Sequence, residues 1–111
     1  METHTYHIRG KVQNVMFRQT LIRAALNRGL RGGATNEKPD KHLVSLTLSG
    51  QKNKIDEIIN FLKSGQSLNS WHAQAQSVNE LPNVIPIEQH QVTTDNVDQF
   101  HWNPSVQFYL N

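Results

Sequence analysis

The sequence predicts an α+β sandwich, one layer of mostly antiparallel sheet under one layer of two helices, in the order β-α-β-β-α-β. Three observations carry this. Apolar and polar residues alternate with period two in several stretches between residues 3 and 76, two apolar stripes at helical spacing lie between those stretches, and a glycine follows each stripe. With 111 residues and no cysteine, the chain fits a single small domain held by a packed core rather than by disulfides.

Residues 3–9 place Tyr6 and Ile8 on one side and Thr5, His7 and Arg9 on the other, the pattern of a half-buried first strand. Over residues 18–28, Leu21, Ile22, Ala25 and Leu26 recur at helical spacing and Gly29 supplies the stop. In residues 42–49, Val44, Leu46 and Leu48 alternate with Ser45, Thr47 and Ser49; residues 31–36, across the Pro39-Asp40 turn signal, are the hairpin partner, and Gly50 ends the strand. Ile55, Ile58, Ile59 and Leu62 form the second helical stripe, with Asp56 and Glu57 early and Lys63 and Gly65 late, as the helix dipole favours. Trp71, Ala73 and Ala75 alternate with His72, Gln74 and Gln76 as a further strand.

This order is the split β-α-β, ferredoxin-like architecture, with both helices on one face of the sheet. Residues 1–80 are its core. Residues 81–111 are polar and broken by Pro82, Pro86 and Pro104, yet Phe100, Trp102, Phe108 and Tyr109 are too apolar for a solvated tail. The expectation is a loop and then a short final strand on the sheet, all within the same single domain.

No apolar run approaches the ~18 residues of a membrane span, and Met1-Glu2-Thr3-His4 lacks the basic-then-apolar layout of a secretory signal. Together with the absence of cysteine, this predicts a cytoplasmic protein without a membrane partner. All eleven Lys and Arg lie between Arg9 and Lys63, against five carboxylates in residues 1–65, whereas residues 66–111 carry four carboxylates and no Lys or Arg. A basic half of this kind favours an anionic ligand.

Between the first strand and the first helix lies Gly10-Lys11-Val12-Gln13-Asn14-Val15-Met16-Phe17-Arg18. Such a junction suits an anion: N–H groups of a curled loop and of the helix's first turn converge, and the helix dipole adds partial positive charge. Arg18 at the helix start would add two parallel, charge-assisted hydrogen bonds to phosphate oxygens.

This segment resembles the Gly-Arg/Lys-Val-Gln-Gly-Val-x-Phe-Arg signature of acylphosphatases. Their second signature, Gly-aromatic-small-x-Asn, is echoed by Gly32-Gly33-Ala34-Thr35-Asn36, and the later Val and Gly by Val44 and Gly50. The resemblance covers about residues 4–80. It implies a metal-independent, cofactor-free hydrolysis of a carboxyl-phosphate bond to carboxylate and inorganic phosphate. Arg18 and Asn36 would be the catalytic residues; Gln13, Asn14, Val15, Met16, Phe17 and Arg18 would bind the phosphate, with Asn36 orienting the attacking water. It implies a small-molecule acyl phosphate as substrate, inorganic phosphate or sulfate as a product-like ligand, and a monomer.

The chain departs from the pattern at three places. Asn14 stands where the family has Gly and would take a positive φ at modest cost. Gly33 stands where the family has an aromatic residue, which leaves the surroundings of Asn36 short of apolar packing. Glu37 directly follows Asn36, in a turn about two residues longer than usual, and is expected to repel an anionic substrate.

Two alternatives keep the fold and change the function. One is a phosphate-binding domain of the same family with weak or no turnover. The other is a nucleic-acid-binding module, disfavoured because such sheets stack bases on exposed aromatics and the strands here offer only His7, Arg9, Ser45 and Thr47. The six histidines show no paired ligand spacing, so no metal site is expected.

Overall fold

Val44, Leu46 and Leu48 are completely buried in the central strand of a five-stranded antiparallel sheet. The computed structural model describes residues 1–101 and 103–111. Its elements are β1 (Glu2–Lys11), α1 (Phe17–Asn27), β2 (Arg31–Asn36), β3 (Leu43–Gly50), α2 (Lys52–Lys63), β4 (Gln74–Glu80) and β5 (Val92–Thr93), with strand order β4-β1-β3-β2-β5. The β-α-β-β-α-β order and the short additional strand are as expected for the ferredoxin-like fold, and both helices pack on the sheet.

Register follows from burial. Tyr6 lies opposite Leu46 and Ile8 opposite Val44, so the apolar residues of β1 and β3 meet on the face that the helices cover. Against them α1 buries Phe17, Leu21, Ile22, Ala24 and Ala25, and α2 buries Ile55, Ile58, Ile59 and Leu62. Gly10 has a backbone reason. The β1–β4 register shifts between Arg9 and Gly10, φ at Gly10 is +145°, and a Cβ there would stand 2.4 Å from the Gln74 carbonyl oxygen. Only glycine permits this bulge, which ends the strand and launches the loop toward α1.

Three local readings shift. The last core strand starts at Gln74 rather than near Trp71, because the Asn69 side-chain oxygen accepts the N–H groups of Trp71 (3.0 Å) and Ala73 (3.4 Å) and His72 adopts φ +65°. An asparagine-closed turn thus displaces the ladder. The fifth strand forms at Val92–Thr93, pairing with Gly33 and Ala34 of β2, rather than around the C-terminal aromatics. Ile87, Val92, Val97, Val106 and Leu110 bury the C-terminal segment, while Tyr109 stays 54% exposed. Trp102 lies outside the described residues.

The third shift concerns the polar face of β3. Ser45 and Thr47 alternate as a solvated face would, yet they are 1% and 0% exposed, since residues 81–93 lie across that side. Thr47 Oγ1 donates to the Ile85 carbonyl (2.8 Å), Ile85 N–H donates to Thr5 Oγ1 (3.0 Å), Thr5 and Thr47 hydroxyls bond each other (2.8 Å), and His90 Nε2 bonds Thr47 Oγ1 (2.8 Å). These buried polar groups are therefore satisfied internally.

Candidate active site

The loop after Gly10 curls because two residues sit in the left-handed region: Asn14 at φ +64° and Met16 at φ +60°. Asparagine tolerates this conformation better than most residues with a side chain. Alternation of left- and right-handed residues brings successive N–H groups to one side. Among the described residues, no N–H from Asn14 to Met16 donates to a backbone carbonyl outside the regular elements.

The cradle is fixed from inside the core. Asn69, fully buried, donates through Nδ2 to the Val15 carbonyl (2.9 Å) and to Thr20 Oγ1 (3.0 Å), and Thr20 Oγ1 donates to the Met16 carbonyl (2.6 Å). In trans peptides the N–H points opposite the preceding carbonyl, so Met16 and Phe17 N–H face away from this anchor. α1 then begins at Phe17 with no side-chain cap and no acidic residue in its first turn, leaving the positive end of its dipole uncancelled.

Asn14, Met16, Phe17, Arg18 and Asn36 line one cavity of about 200 Å³, with Val12, Gln19 and Trp71 completing the wall. The structure thus brings Arg18 from the start of α1 together with Asn36 from the end of β2. Gln13 and Val15 lie outside the lining: Val15 is buried, and Gln13 Nε2 donates to the carbonyls of Glu37 (3.3 Å), Asp40 (3.0 Å) and Leu43 (3.0 Å). Gln13 therefore ties the β2–β3 turn to the loop.

Arg18 is half-buried, and burial pulls its guanidinium below the usual arginine range, though it remains a cation. Nη1 donates to Gln91 Oε1 at 2.8 Å, a neutral acceptor. Asn36 Oδ1 is shut away from solvent with no hydrogen-bond partner among the described residues, and so is Gln19 Oε1 in the same wall. Glu37, expected beside the anion, instead accepts a hydrogen bond from Ser45 Oγ (2.7 Å) on the far side of the sheet and does not line the cavity. The alternation of β2 accounts for this, since residue 37 faces opposite to residue 36.

Trp71 and Gln91 carried no local signal as site residues. Trp71 reads as one position of an alternating strand, and Gln91 as one of several amides in a polar segment. Among the described residues, no group of three or more His, Asp or Glu side chains converges as a metal site.

A family model described as Acylphosphatase matches residues 4–92. The chain is 35% identical over 65 residues to the acylphosphatase of Pyrobaculum islandicum, covering 59% of this chain and 66% of that one. It is 34% identical over 65 residues to that of Paraburkholderia xenovorans, covering 59% and 65%. It thus spans just under two thirds of the length of these relatives. Among solved structures, acylphosphatase from Bacillus subtilis shares the fold with a TM-score of 0.57 at 24% identity, over 76% of this chain and 89% of that one. A match over most of the chain, which takes in the cradle, Arg18 and Asn36, makes this protein a member of the acylphosphatase family.

Proposed function

We propose that the chain is an acylphosphatase that hydrolyses acyl phosphates to carboxylate and inorganic phosphate. The observation that carries this is Arg18, a half-buried cation in one cavity with Asn36 and with a loop curled by two left-handed residues. Arg18 and the N–H groups of the loop clamp the phosphoryl oxygens and offset charge that grows in the transition state. Asn14, Met16 and Phe17 form the phosphate-facing part of the loop. Gln13 and Val15 act by shaping it.

Asn36 orients the attacking water. It lines the same cavity as Arg18, so its side-chain amide can hold a water beside the clamped phosphoryl group. Water attacks phosphorus, the bond from phosphorus to the acyl oxygen breaks with its electron pair leaving on the carboxylate, and the water's proton passes to a phosphate oxygen. Carboxylate is a good leaving group, so positioning and electrostatics suffice. We place this activity in a cytoplasmic monomer, in keeping with the lack of cysteine.

The test is hydrolysis of acetyl phosphate and benzoyl phosphate by purified protein, with and without a chelator. Turnover that survives the chelator is expected. Phosphate binding without turnover would reduce the protein to a silent binder, and salt-sensitive oligonucleotide binding with neither would move it to the nucleic-acid class.

A further inference from the structure

We propose that Gln91 is a positioning residue of this site: its single side-chain oxygen fixes the Arg18 guanidinium and the end of β2 in one geometry while leaving the cation's charge whole. The inference rests on the acyl phosphate reading above and names a residue from a part of the chain remote from both signatures.

Gln91 Oε1 accepts from Arg18 Nη1 at 2.8 Å and from the Asn36 backbone N–H at 2.8 Å. Both lone pairs of one carbonyl oxygen are thereby used, and they join the two residues on which clamp and water depend. The partners lie 73 and 55 residues away in sequence, so the joint exists only because residues 81–93 return along the sheet.

The backbone that carries this side chain is itself held in place. Gln91 N–H donates to Thr35 Oγ1 (3.1 Å), the Gln91 carbonyl accepts from Asn96 Nδ2 (3.2 Å), and the preceding His90 is gripped by Thr35 (2.9 Å) and Thr47 (2.8 Å). A long arginine side chain has much rotamer freedom to lose, and tethering one nitrogen to a fixed point removes part of that loss in advance. Gln91 does not line the cavity, so it grips Arg18 from outside and a bound phosphate need not displace it.

The neutrality of the amide matters. A carboxylate at this distance would compete with phosphate for the guanidinium, and a hydrocarbon would leave Nη1 and the Asn36 N–H to mobile water, which fixes neither in place. Glutamine grips without neutralising.

Three variants separate these roles: Gln91→Met keeps length and volume but deletes the acceptor, Gln91→Asn keeps the amide but shortens its reach, and Gln91→Glu keeps the acceptor but adds charge. Benzoyl phosphate kinetics, inorganic phosphate affinity by NMR titration, the Arg18 side-chain N–H resonance and thermal melting are measured for each. Gln91→Met and Gln91→Asn are expected to lower kcat by about tenfold to a hundredfold with a smaller change in KM. They should also broaden the Arg18 resonance, while the melting temperature moves little. Gln91→Glu is expected to raise KM and the phosphate dissociation constant by roughly tenfold at low salt, an effect that shrinks as salt is added.

The proposal is overturned if Gln91→Met keeps wild-type kcat, phosphate affinity and Arg18 resonance, or loses them only in proportion to the fraction unfolded. Should the wild type bind phosphate yet hydrolyse nothing, the hydrolase reading fails by itself. Weakened phosphate binding in Gln91→Met then upholds the role of Gln91, and unchanged binding removes it.

Discussion

The His90 imidazole rests on Gly33 so closely that a Cβ at Gly33 would stand 2.7 Å from His90 Cβ and 2.9 Å from its Cγ and Cδ2. Gly33 stands where the family signature carries an aromatic residue, and His90 fills the space from the other end of the chain. Gly33→Ala should therefore push residues 85–93 off the sheet and cost about 1–3 kcal/mol, the usual range for overpacking. Combining it with His90→Gly, which removes the opposing atoms, should cost less than the two single changes added together. Urea denaturation of the four proteins in this cycle reads the coupling, and strict additivity would show that the two residues do not meet.

His90 also sets a pH dependence. Thr47 Oγ1 commits its hydrogen to the Ile85 carbonyl, so at Thr47 the histidine must donate through Nε2–H, and Nδ1 is left to accept from Thr35. A neutral ring satisfies every partner. Burial accordingly holds His90 below 6.5, against a weaker opposite pull from Glu37. The folded state resists a proton that the unfolded chain takes up, so stability from this site is intact above pH 6.5 and declines as pH falls through 6.5 toward the lowered value. His4 runs the other way. Hydrogen bonds that it donates to Glu80 and then to Glu2 raise it above 6.5, so its contribution is present below pH 6.5 and is lost as pH rises through the raised value. Urea midpoints from about pH 5 to pH 8 should show the acid-side decline flattened in His90→Gln and kept in His4→Gln.

Arg18→Lys should be nearly as damaging as Arg18→Ala, with kcat/KM down by about a hundredfold to a thousandfold, the cost of losing a transition-state donor. A lysine ammonium cannot reproduce the planar fork that meets two phosphate oxygens. Asn36→Ala should lower kcat more than it raises KM, since the side chain's task is the water. Wild-type turnover in Arg18→Lys would make the arginine a steering charge only.

Asn69 is the structural anchor of the cradle, with Nδ2 bonded to Val15 O and Thr20 Oγ1 and Oδ1 bonded to the N–H groups of Trp71 and Ala73. Asn69→Ala should cost about 2–4 kcal/mol, because it leaves several buried groups unpaired. In the fraction that stays folded, phosphate affinity should also fall, as the carbonyls that turn the loop's N–H groups outward lose their tether. Calorimetry with a parallel phosphate titration separates the two effects.

Asn14 and Met16 occupy left-handed backbone at φ +64° and +60°. Asn14→Gly should change stability by less than about 1 kcal/mol, as relief of strain is offset by the freedom glycine adds to the unfolded chain. Asn14→Val should destabilise by about 1–3 kcal/mol, because a β-branched residue is poorly tolerated there. Equal melting temperatures for the two variants would mean that the loop does not need this conformation when folded.

Period-two alternation in β1 and β3, the stripe Ile55, Ile58, Ile59 and Leu62, and Gly29 and Gly65 beyond the helices were all readable from neighbours a few residues apart. The order of elements, and with it the fold, followed from them. The approach to the site was local too. Residues 10–18 lie in a row, so the strand end, the curled loop and Arg18 at the helix start are specified by one continuous segment.

Only the tertiary structure decided what stands behind Arg18. Gln91, Asn69 and His90 act across 73, 54 and 55 residues, and each is a polar residue whose local surroundings suggest only a loop. The same holds for Ser45 and Thr47, whose alternation reads as a solvated face until residues 81–93 cover it, and for Glu37, which bonds Ser45 instead of facing the cavity. The physical reason is reach. Periodicity and turn chemistry report forces between near neighbours, which determine the elements and the Arg18 loop; the partners of buried polar groups depend on where the chain returns after the core has packed.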